Sequence, residues 1–398
     1  MGRAPPVGQM RNSVPPSDRK RPRIAFVITG LYTGGAEVVL ANLIEQLGPR
    51  IEAKVFALRG GGPIRERIEA AGGEVEDFSI SGPLSAFVGT LRLHRALKAF
   101  SPDVVHTWMY HADLVGGLAA VAARIRPIAW GIHNSTLDND ARLRTRILVR
   151  ALASLSSRVP DSIQSCSVAA AAVHVGMGYP QNRIRIIHNG VDCEAFAPSE
   201  NARVSVREEL ELPPATPLIG AVGRYHPQKD YPTLLAAARE LVAENPEVHF
   251  LLAGRGLDQN NRELCELVSA HRLGDNIHLL GVRTDIPRIM SSLDVYTSSS
   301  AFGEAFPVVL LEAMSSGVPC IATDVGDSAR IIGDSGMVVE PRDPGSLALG
   351  LRKLLVLPPM DRLALGRLAR TRILANYSWP QVSNQFFQYY TDLIEGNA

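Results

Sequence analysis

The sequence predicts an α/β protein with two doubly wound, parallel-sheet domains that face a central cleft. Short apolar runs alternate with helical stretches, the alternation starts again after residue 192, and 398 residues are enough for two ordinary domains. We expect residues 1–22 to be a disordered tail, 23–192 the first domain, 193–376 the second, and 377–398 a final helix.

The first domain is predicted from six apolar runs. Met1–Pro22 precedes them and is rich in Pro, Arg and Ser without apolar periodicity, which is typical of a tail. Helices are expected from Ala36, over Leu84–Phe100 and over Arg142–Leu155, between strands read from RIAFVIT, KVFAL, DVVHTW, IAWGIHN, SIQSCSV and RIRIIHNG.

A second series of runs predicts the second domain. After the Asn-Gly turn at 189–190 come PLIGAVG, VHFLLAG, NIHLLG, VYTSSS, PCIATDV and GMVVE, and the polar segment Val191–Ser199 marks the boundary. The last helix, Trp379–Ile394, carries apolar residues at near-helical spacing and must pack against another surface. Ligands of such sheets bind beyond the carboxyl ends of the strands, so the two domains should share a cleft.

Composition excludes several classes of protein. Charged residues make up 20% and the net charge is +1, so nothing indicates a nucleic-acid partner. The four cysteines are far apart and lack a C-x-x-C spacing, so we expect neither zinc nor a disulfide framework. No apolar run has the length of a signal peptide core or a membrane span, and we therefore expect a cytoplasmic protein.

The segment Gly303–Met314, GEAFPVVLLEAM, is the strongest candidate binding motif. Glu304 lies in the loop after a strand, Pro307 fits the first position of a helix, and Glu312 lies on its second turn. The free amides at the start of such a helix favour a phosphate. Glu312 would then bind ribose hydroxyls, and Glu304 the sugar attached to the phosphate.

Other candidates also follow strands. Arg224 and Lys229, after PLIGAVG, carry the charge needed to hold a diphosphate without a metal. Gly34 and Gly35 lie between a strand and a helix, where backbone amides can approach a ligand, although a structural tight turn explains them nearly as well.

These motifs resemble those of the retaining glycosyltransferases of family 4, which have the GT-B fold of two Rossmann-like domains. The resemblance covers about 370 residues. It is carried by the segments GLYTGGAEVVLANL, HNGVDCEAF, GAVGRYHPQKDYPTLLAAA and GEAFPVVLLEAMSSGVPCIATDVG. It implies that the first domain binds the acceptor, the second binds the nucleotide sugar, and the last helix crosses back to the first domain.

The resemblance also implies roles for individual residues. His133 would lie against the donor sugar beside the reaction centre, and His106, Trp108 and His111 would contact the acceptor. A buried structural role for these aromatic residues is the alternative. The predicted catalytic residues are thus His133, Glu304, Arg224 and Lys229, and the donor-binding set is Gly34, Gly35, Arg224, Lys229, Glu304, Phe306, Pro307, Val308, Val309 and Glu312.

The expected reaction is retaining, metal-independent transfer of a hexosyl group from a UDP- or GDP-sugar to a sugar hydroxyl of a lipid-linked oligosaccharide or polysaccharide precursor. Asp138 and Asp140 form a D-x-D pattern that can hold a divalent cation, but they are better explained as loop or helix-cap acids. Arg142, Arg146 and Arg150 lie on one face of a predicted helix, a pattern that suits an anionic membrane surface as a partner, although an ordinary amphipathic surface helix explains it better.

Two alternative activities stay open. One is a hydrolase or epimerase of the same architecture, because a fold does not fix the chemistry. The other is an inactive donor-binding partner in a glycan assembly complex. Ala305 and Arg330 support this second alternative, because the family usually has a glycine and an acidic residue near these positions.

Overall fold

A computed structural model describes residues 21–32, 34–80, 83–134 and 143–397. Most of the predicted tail, the D-x-D pattern and Arg142 lie outside these ranges, so the structure does not test their predicted roles. Within the described chain there are two parallel sheets, each flanked by helices on both faces, as the sequence predicts.

The first sheet has seven parallel strands in the order β3-β2-β1-β4-β5-β6-β7. Its strands are β1 Arg23–Ile28, β2 Glu52–Ala57, β3 Glu74–Asp77, β4 Val104–Trp108, β5 Ile128–Ile132, β6 Ser162–Ser165 and β7 Ile184–Ile186. The order reverses next to β1, so the carboxyl ends of β1 and β4 form the edge at which a ligand is expected.

Helices cover both faces of this sheet because its strands are apolar on both sides. Ile24, Phe26 and Ile28 of β1 point to one face, and Ala25 and Val27 point to the other. The helices of this domain are α1 Gly35–Leu47, α2 Ile64–Ala70, α3 Pro83–Phe100, α4 Tyr110–Ala123, α5 Leu143–Leu155 and α6 Val168–Gly176. The core packs α1 and α2 on the first face and α3 to α6 on the second.

The second sheet has six parallel strands in the order β10-β9-β8-β11-β12-β13. They are β8 Leu218–Val222, β9 His249–Ala253, β10 Ile277–Gly281, β11 Val295–Ser298, β12 Cys320–Thr323 and β13 Gly336–Val339. The helices around this sheet are α7 Glu200–Glu209, α8 Tyr231–Glu244, α9 Arg262–Ala270, α10 Ile286–Ser292, α11 Val308–Ser315, α12 Ser328–Ile332, α13 Pro344–Leu355 and α14 Pro359–Asn376.

The last helix, α15 Trp379–Glu395, crosses back to the first domain. Its buried residues Phe386, Tyr390 and Leu393 join the core formed by α1 and the outer face of β1. The two chain crossings lie side by side, since the Val191 amide donates to Tyr377 O at 2.9 Å and the Trp379 amide to Val191 O at 3.2 Å. The crossing inferred from the family resemblance is thus confirmed.

Some predicted boundaries differ from the structure by a residue or two. The helix predicted to start with Pro307 begins at Val308, with Pro307 as its N-cap. The run SIQSCSV is a strand only to Ser165, because Ser167 caps α6 by accepting a hydrogen bond from the Ala170 amide. In the part of the chain that the structure describes, no helix is both long and apolar enough to cross a bilayer.

Candidate active site

Glu304 lies in the loop between β11 and α11, and its carboxylate is held from two sides. The Lys229 ammonium is 2.6 Å from Glu304 Oε1, and the Ser300 hydroxyl donates to the same oxygen at 2.8 Å. Both charged side chains are mostly buried, with 18% of Lys229 and 10% of Glu304 exposed. The arrangement places one carboxylate and one cation in fixed positions at the carboxyl end of the second sheet.

The loop after β8 supplies the cation and is tied to the Glu304 loop. The Ala301 amide donates to Gln228 O at 2.8 Å, and the Ser299 hydroxyl donates to Lys229 O at 2.7 Å. Arg224 is exposed at the edge of the cleft, where its guanidinium donates to the Gln228 side chain at 3.2 Å. Two loops that are distant in sequence therefore behave as one unit.

Two helices begin at the cleft without a capping side chain. Gly34 is the N-cap of α1 and Pro307 the N-cap of α11, and neither provides a side-chain acceptor. Proline also lacks an N–H group, and glycine lets the backbone approach a ligand closely. The first-turn amide groups of α11 are thus available to an anion, whereas in the first turn of α1 the Glu37 carboxylate accepts a hydrogen bond from its own backbone amide.

These elements enclose a cavity of about 510 Å³ between the two domains. The first domain contributes Gly35, Ala36, Glu37, Val39, Met109, His133, Asn134, Cys166 and Asn189, and the second contributes Arg224, Gln228, Lys229 and Gly303–Val309. The structure therefore brings together nine of the predicted site residues: Gly35, His133, Arg224, Lys229, Glu304, Phe306, Pro307, Val308 and Val309.

Glu312 and Gly34 line a neighbouring cavity of about 520 Å³ that shares Gly35, Val39 and Val308 with the first. Glu312 is half-buried, and burial raises the pKa of its carboxyl to about 7. Among the described residues no side chain forms an ion pair with it or donates a hydrogen bond to it. A carboxyl group without such a partner can accept hydrogen bonds from ligand hydroxyls, and does so best in its ionised form.

His133 follows β5 and stacks on the Trp108 ring, with the ring centres 4.2 Å apart and the planes 15° apart. Burial lowers the pKa of His133 to about 3, so its imidazole is neutral at pH 7. Its Nε2 is buried and has no hydrogen-bond partner. A neutral imidazole in the wall of the cavity can orient a hydroxyl, and the predicted role of His133 stays a prediction.

The structure does not bring His106 and Trp108 to the cleft. Both side chains are fully buried in the core beneath α15, where the Tyr390 hydroxyl lies 2.9 Å from His106 Nδ1. Burial lowers the pKa of His106 to about 3. With no exposed surface they cannot touch an acceptor in this conformation, and their burial fits the alternative that they close the core. His111 is exposed on the first turn of α4, and its acceptor role stays a prediction.

Metal binding is not visible in the described chain: no three His, Cys, Asp or Glu side chains converge there as metal ligands. The proposed alternative ligands Asp138 and Asp140 lie outside the described residues. Metal-independent catalysis therefore stays a prediction.

Several residues of the cavity wall escaped the sequence analysis. Gln228 directly precedes Lys229 in the loop HPQKD, and Asn189 precedes the glycine of the segment HNG. Both segments are among the motifs discussed above, but these two residues are not among the predicted site residues. Asn134, Cys166 and Met109 follow strand ends, where the position in the fold is a signal but the residue type is not.

Comparison with known proteins assigns the chain to a family. Residues 33–195 match the family described as Glycosyltransferase Family 4, and residues 216–356 match Glycosyl transferases group 1. A phosphatidyl-myo-inositol mannosyltransferase from Mycolicibacterium smegmatis is 30% identical over 337 residues, covering 80% of this chain and 82% of that protein. This chain belongs to glycosyltransferase family 4.

Other relatives of this glycosyltransferase agree with the assignment. A UDP-Gal:α-D-GlcNAc-diphosphoundecaprenol α-1,3-galactosyltransferase from Escherichia coli is 27% identical over 259 residues, covering 64% of this chain and 66% of that protein. The crystal structure of HepE from Anabaena in complex with UDP is similar over 93% of this chain and 100% of that one, with a TM-score of 0.83 and 21% identity. The predicted GT-B fold and glycosyltransferase activity are confirmed.

Proposed function

We propose that this glycosyltransferase moves a hexosyl group, with retention, from a UDP- or GDP-sugar to a sugar hydroxyl of a lipid-linked oligosaccharide or polysaccharide precursor. The observation that carries the proposal is the cavity in which two uncapped helix N-termini, Arg224 and the Lys229–Glu304 pair converge. Solved relatives of similar fold are described in complex with UDP and with UDP-glucose, which supports a nucleotide-sugar donor.

The donor diphosphate would bind at the start of α11, between its free amides and the two cations. Fixed positive groups in a partly closed site stabilise the charge that develops on a leaving diphosphate. Lys229 would then share its charge between Glu304 and the phosphate. Glu312, one helical turn further on, would accept hydrogen bonds from the ribose hydroxyls.

Retention is best explained by substitution on the front face of the donor sugar. The bond from the anomeric carbon to the leaving oxygen breaks, the acceptor oxygen forms the new bond on the same face, and the leaving phosphate takes the acceptor proton. Glu304 and His133 would position the hydroxyls of the transferred sugar. These roles need no covalent enzyme intermediate.

A lipid-linked acceptor is supported by the names of two relatives, which act on a diphosphoundecaprenol-linked sugar and on phosphatidyl-myo-inositol. Such acceptors lie in a bilayer, so the enzyme should bind a membrane surface. We expect a peripheral location on the inner face of the plasma membrane.

The helices α3, α4 and α5 form an outer face of the first domain that suits this surface. On α3 the exposed residues Phe87, Val88 and Leu91 are 66%, 50% and 45% exposed. The exposed charged residues of these helices and their ends are all basic: Arg92, Arg95, Lys98, Arg124 and Arg150. The one acidic residue of the three helices, Asp113, is buried. Exposed apolar groups among cations are typical of binding to anionic lipid.

Donor use is tested by measuring nucleoside-diphosphate release from a panel of UDP- and GDP-sugars, with and without lipid-linked acceptor and EDTA. Acceptor-stimulated release that resists EDTA and is lost in Glu304→Ala supports the proposal. Release without an acceptor indicates a hydrolase. Binding of a donor without any release indicates an inactive partner, and loss with EDTA indicates a metal site.

Membrane binding is tested by flotation with phosphatidylcholine vesicles, with and without phosphatidylglycerol. Replacing Phe87, Val88 and Leu91 together by Gln should abolish flotation. A matched control replaces Val356, Met360 and Leu368, which are exposed apolar residues of the second domain, and should leave it unchanged. Equal loss in both triple variants, or flotation that does not depend on anionic lipid, would reject this surface.

A further inference from the structure

A carboxylate of the second domain caps a helix of the first. Asp327 follows β12, whereas α6 lies between β6 and β7 of the other sheet. Asp327 Oδ2 accepts a hydrogen bond from the Val168 amide at 2.8 Å, and Oδ1 accepts one from the Ala169 amide at 2.9 Å. The residue is only 4% exposed, so these bonds are shielded from water.

The capping of α6 is thereby divided between two domains. Ser167 Oγ accepts from the Ala170 amide at 2.9 Å within the first domain, and Asp327 takes the two preceding amides from outside it. A carboxylate at a helix N-terminus also interacts favourably with the helix dipole. Hydrogen bonds to an ionised acceptor are about twice as strong as neutral ones. The contact is therefore a directional link between the domains.

The same turn holds the loop that carries Glu304. The Asp327 amide donates to Ala305 O at 3.1 Å. Its neighbour Gly326 has φ +64°, and a side-chain carbon there would lie 2.2 Å from Glu304 O, so only glycine fits this approach. The side chain of Asp327 thus contacts the first domain, and the backbone of Gly326 and Asp327 contacts the loop that carries Glu304.

His188 reinforces the link from the first domain. Its ring stacks on Phe306 of the loop that carries Glu304, here called the donor loop, with ring centres 4.7 Å apart and planes 14° apart. Its Nδ1 lies 3.0 Å from Cys166 O and 4.0 Å from Asp327 Oδ2. The donor loop, the Asp327 turn and the start of α6 therefore form one contiguous junction.

We propose that Asp327 is a positioning residue that holds the two domains in the arrangement of this structure, which we call closed, and so sets Glu304 against the first domain. The inference deepens the proposed function, because it rests on Glu304 acting at the donor sugar. Asp327 does not line the cavity, and it acts through the loop that does. When the domains separate, water can hydrate both the carboxylate and the α6 amides, so the link is reversible and shifts the balance toward the closed form.

The test measures interdomain distance and turnover separately. Spin labels at Ala122→Cys and Lys353→Cys, both exposed and on different domains, report the distance in a chain whose half-buried Cys265 is Ser. Asp327→Asn keeps the size of the side chain but replaces one acceptor oxygen by an NH₂ group. Ser167→Ala is the matched control, because it removes a cap from the same helix without breaking the link between domains.

In Asp327→Asn we expect about a tenfold lower ratio of closed to open form, the scale of one lost charge-assisted hydrogen bond. At saturating donor, kcat should fall in proportion to the closed population, by up to about tenfold, while the Kd for UDP changes less than about threefold, because the proposed diphosphate site is on the second domain. Ser167→Ala should change neither. Unfolding temperatures confirm that both variants are folded.

An unchanged distance distribution in Asp327→Asn would overturn the proposal, and so would an equal shift in Ser167→Ala. If no protein in the series transfers sugar, the proposed function fails, but the distances still decide whether Asp327 links the domains. A normal kcat in a variant with shifted distances would reject the positioning role.

Discussion

Replacing Lys229 by Met tests whether its ion pair with Glu304 serves the substrate or only the fold. Lys229 Nζ lies 2.6 Å from Glu304 Oε1, and the side chains are 18% and 10% exposed. Methionine keeps most of the length and apolar volume of lysine and removes the charge. The change therefore leaves a mostly buried carboxylate with the Ser300 hydroxyl but without this cation.

The expected cost in stability lies between two limits. Removing one partner of a fully buried pair costs about 3–5 kcal/mol, and an exposed pair contributes about 0–1 kcal/mol. Glu304 keeps the Ser300 bond and some exposure, so we expect about 2 kcal/mol, or about 4–8 °C in the Tm of a domain of this size. Adding Glu304→Gln should restore most of this loss, because a neutral amide needs no counter-charge.

The effect on activity should not be restored. Removing one group that stabilises a developing anion lowers kcat by about a hundredfold to a thousandfold, equivalent to about 2.7–4 kcal/mol. Calorimetry and donor turnover on the two single variants and the double variant separate these effects. Arg352→Met, which breaks the exposed pair with Glu244, is the control and should change Tm and kcat little. If the double variant recovers kcat together with Tm, the pair is structural and our reasoning is refuted.

Three further changes probe the rest of the site and the core beneath α15. In Glu312→Gln, UDP should bind about tenfold more weakly, as for a lost hydrogen bond to a charged group. Because the folded pKa of Glu312 is raised to about 7 from 4.5, wild-type stability should fall as pH rises between these values, and unfolding titrations of the variant should lack this decline. In Tyr390→Phe, His106 Nδ1 loses its partner, and denaturant unfolding should show a loss of about 1–3 kcal/mol; no change would mean that water replaces the hydroxyl. In Gly326→Ala, the added carbon would displace Glu304, so turnover should fall by more than about tenfold while a folded protein remains by circular dichroism; unchanged turnover would show that the turn can shift freely.

The fold was predictable because its elements repeat a simple pattern. Strands such as Ile24–Ile28 are apolar at every position, which indicates a sheet buried on both faces, and regularly spaced helices between them leave few alternative topologies. The destination of α15 was not predictable from its periodicity. An apolar stripe shows that a helix must pack, but not which of two domains receives it.

The placement of site residues in the loops after strands was predictable. Whether a given side chain faces the cleft or is buried in the core was less so. Arg224, Lys229 and Glu304 are charged residues in short loops, so the sequence indicates a surface role. His106 and Trp108 occupy the same kind of position at the end of β4, yet α15 covers them completely. Asp327 was missed because its partners, two backbone amides of the other domain, have no signature in the sequence.

The paired chain crossings at Val191 and Ser378 have a consequence for how the protein can be divided. The second domain enters and leaves through two adjacent backbone segments, so it has the topology of an insertion into a loop of the first. Cutting the gene at residue 191 would strip α15 from the first domain and expose the apolar surface that Phe386 and Tyr390 cover. A short linker from Gly190 to Trp379 would instead preserve both partners of that interface. The autonomous unit that contains the first sheet is therefore discontinuous in sequence, and domain exchange between relatives should be most successful when both crossings are transferred together.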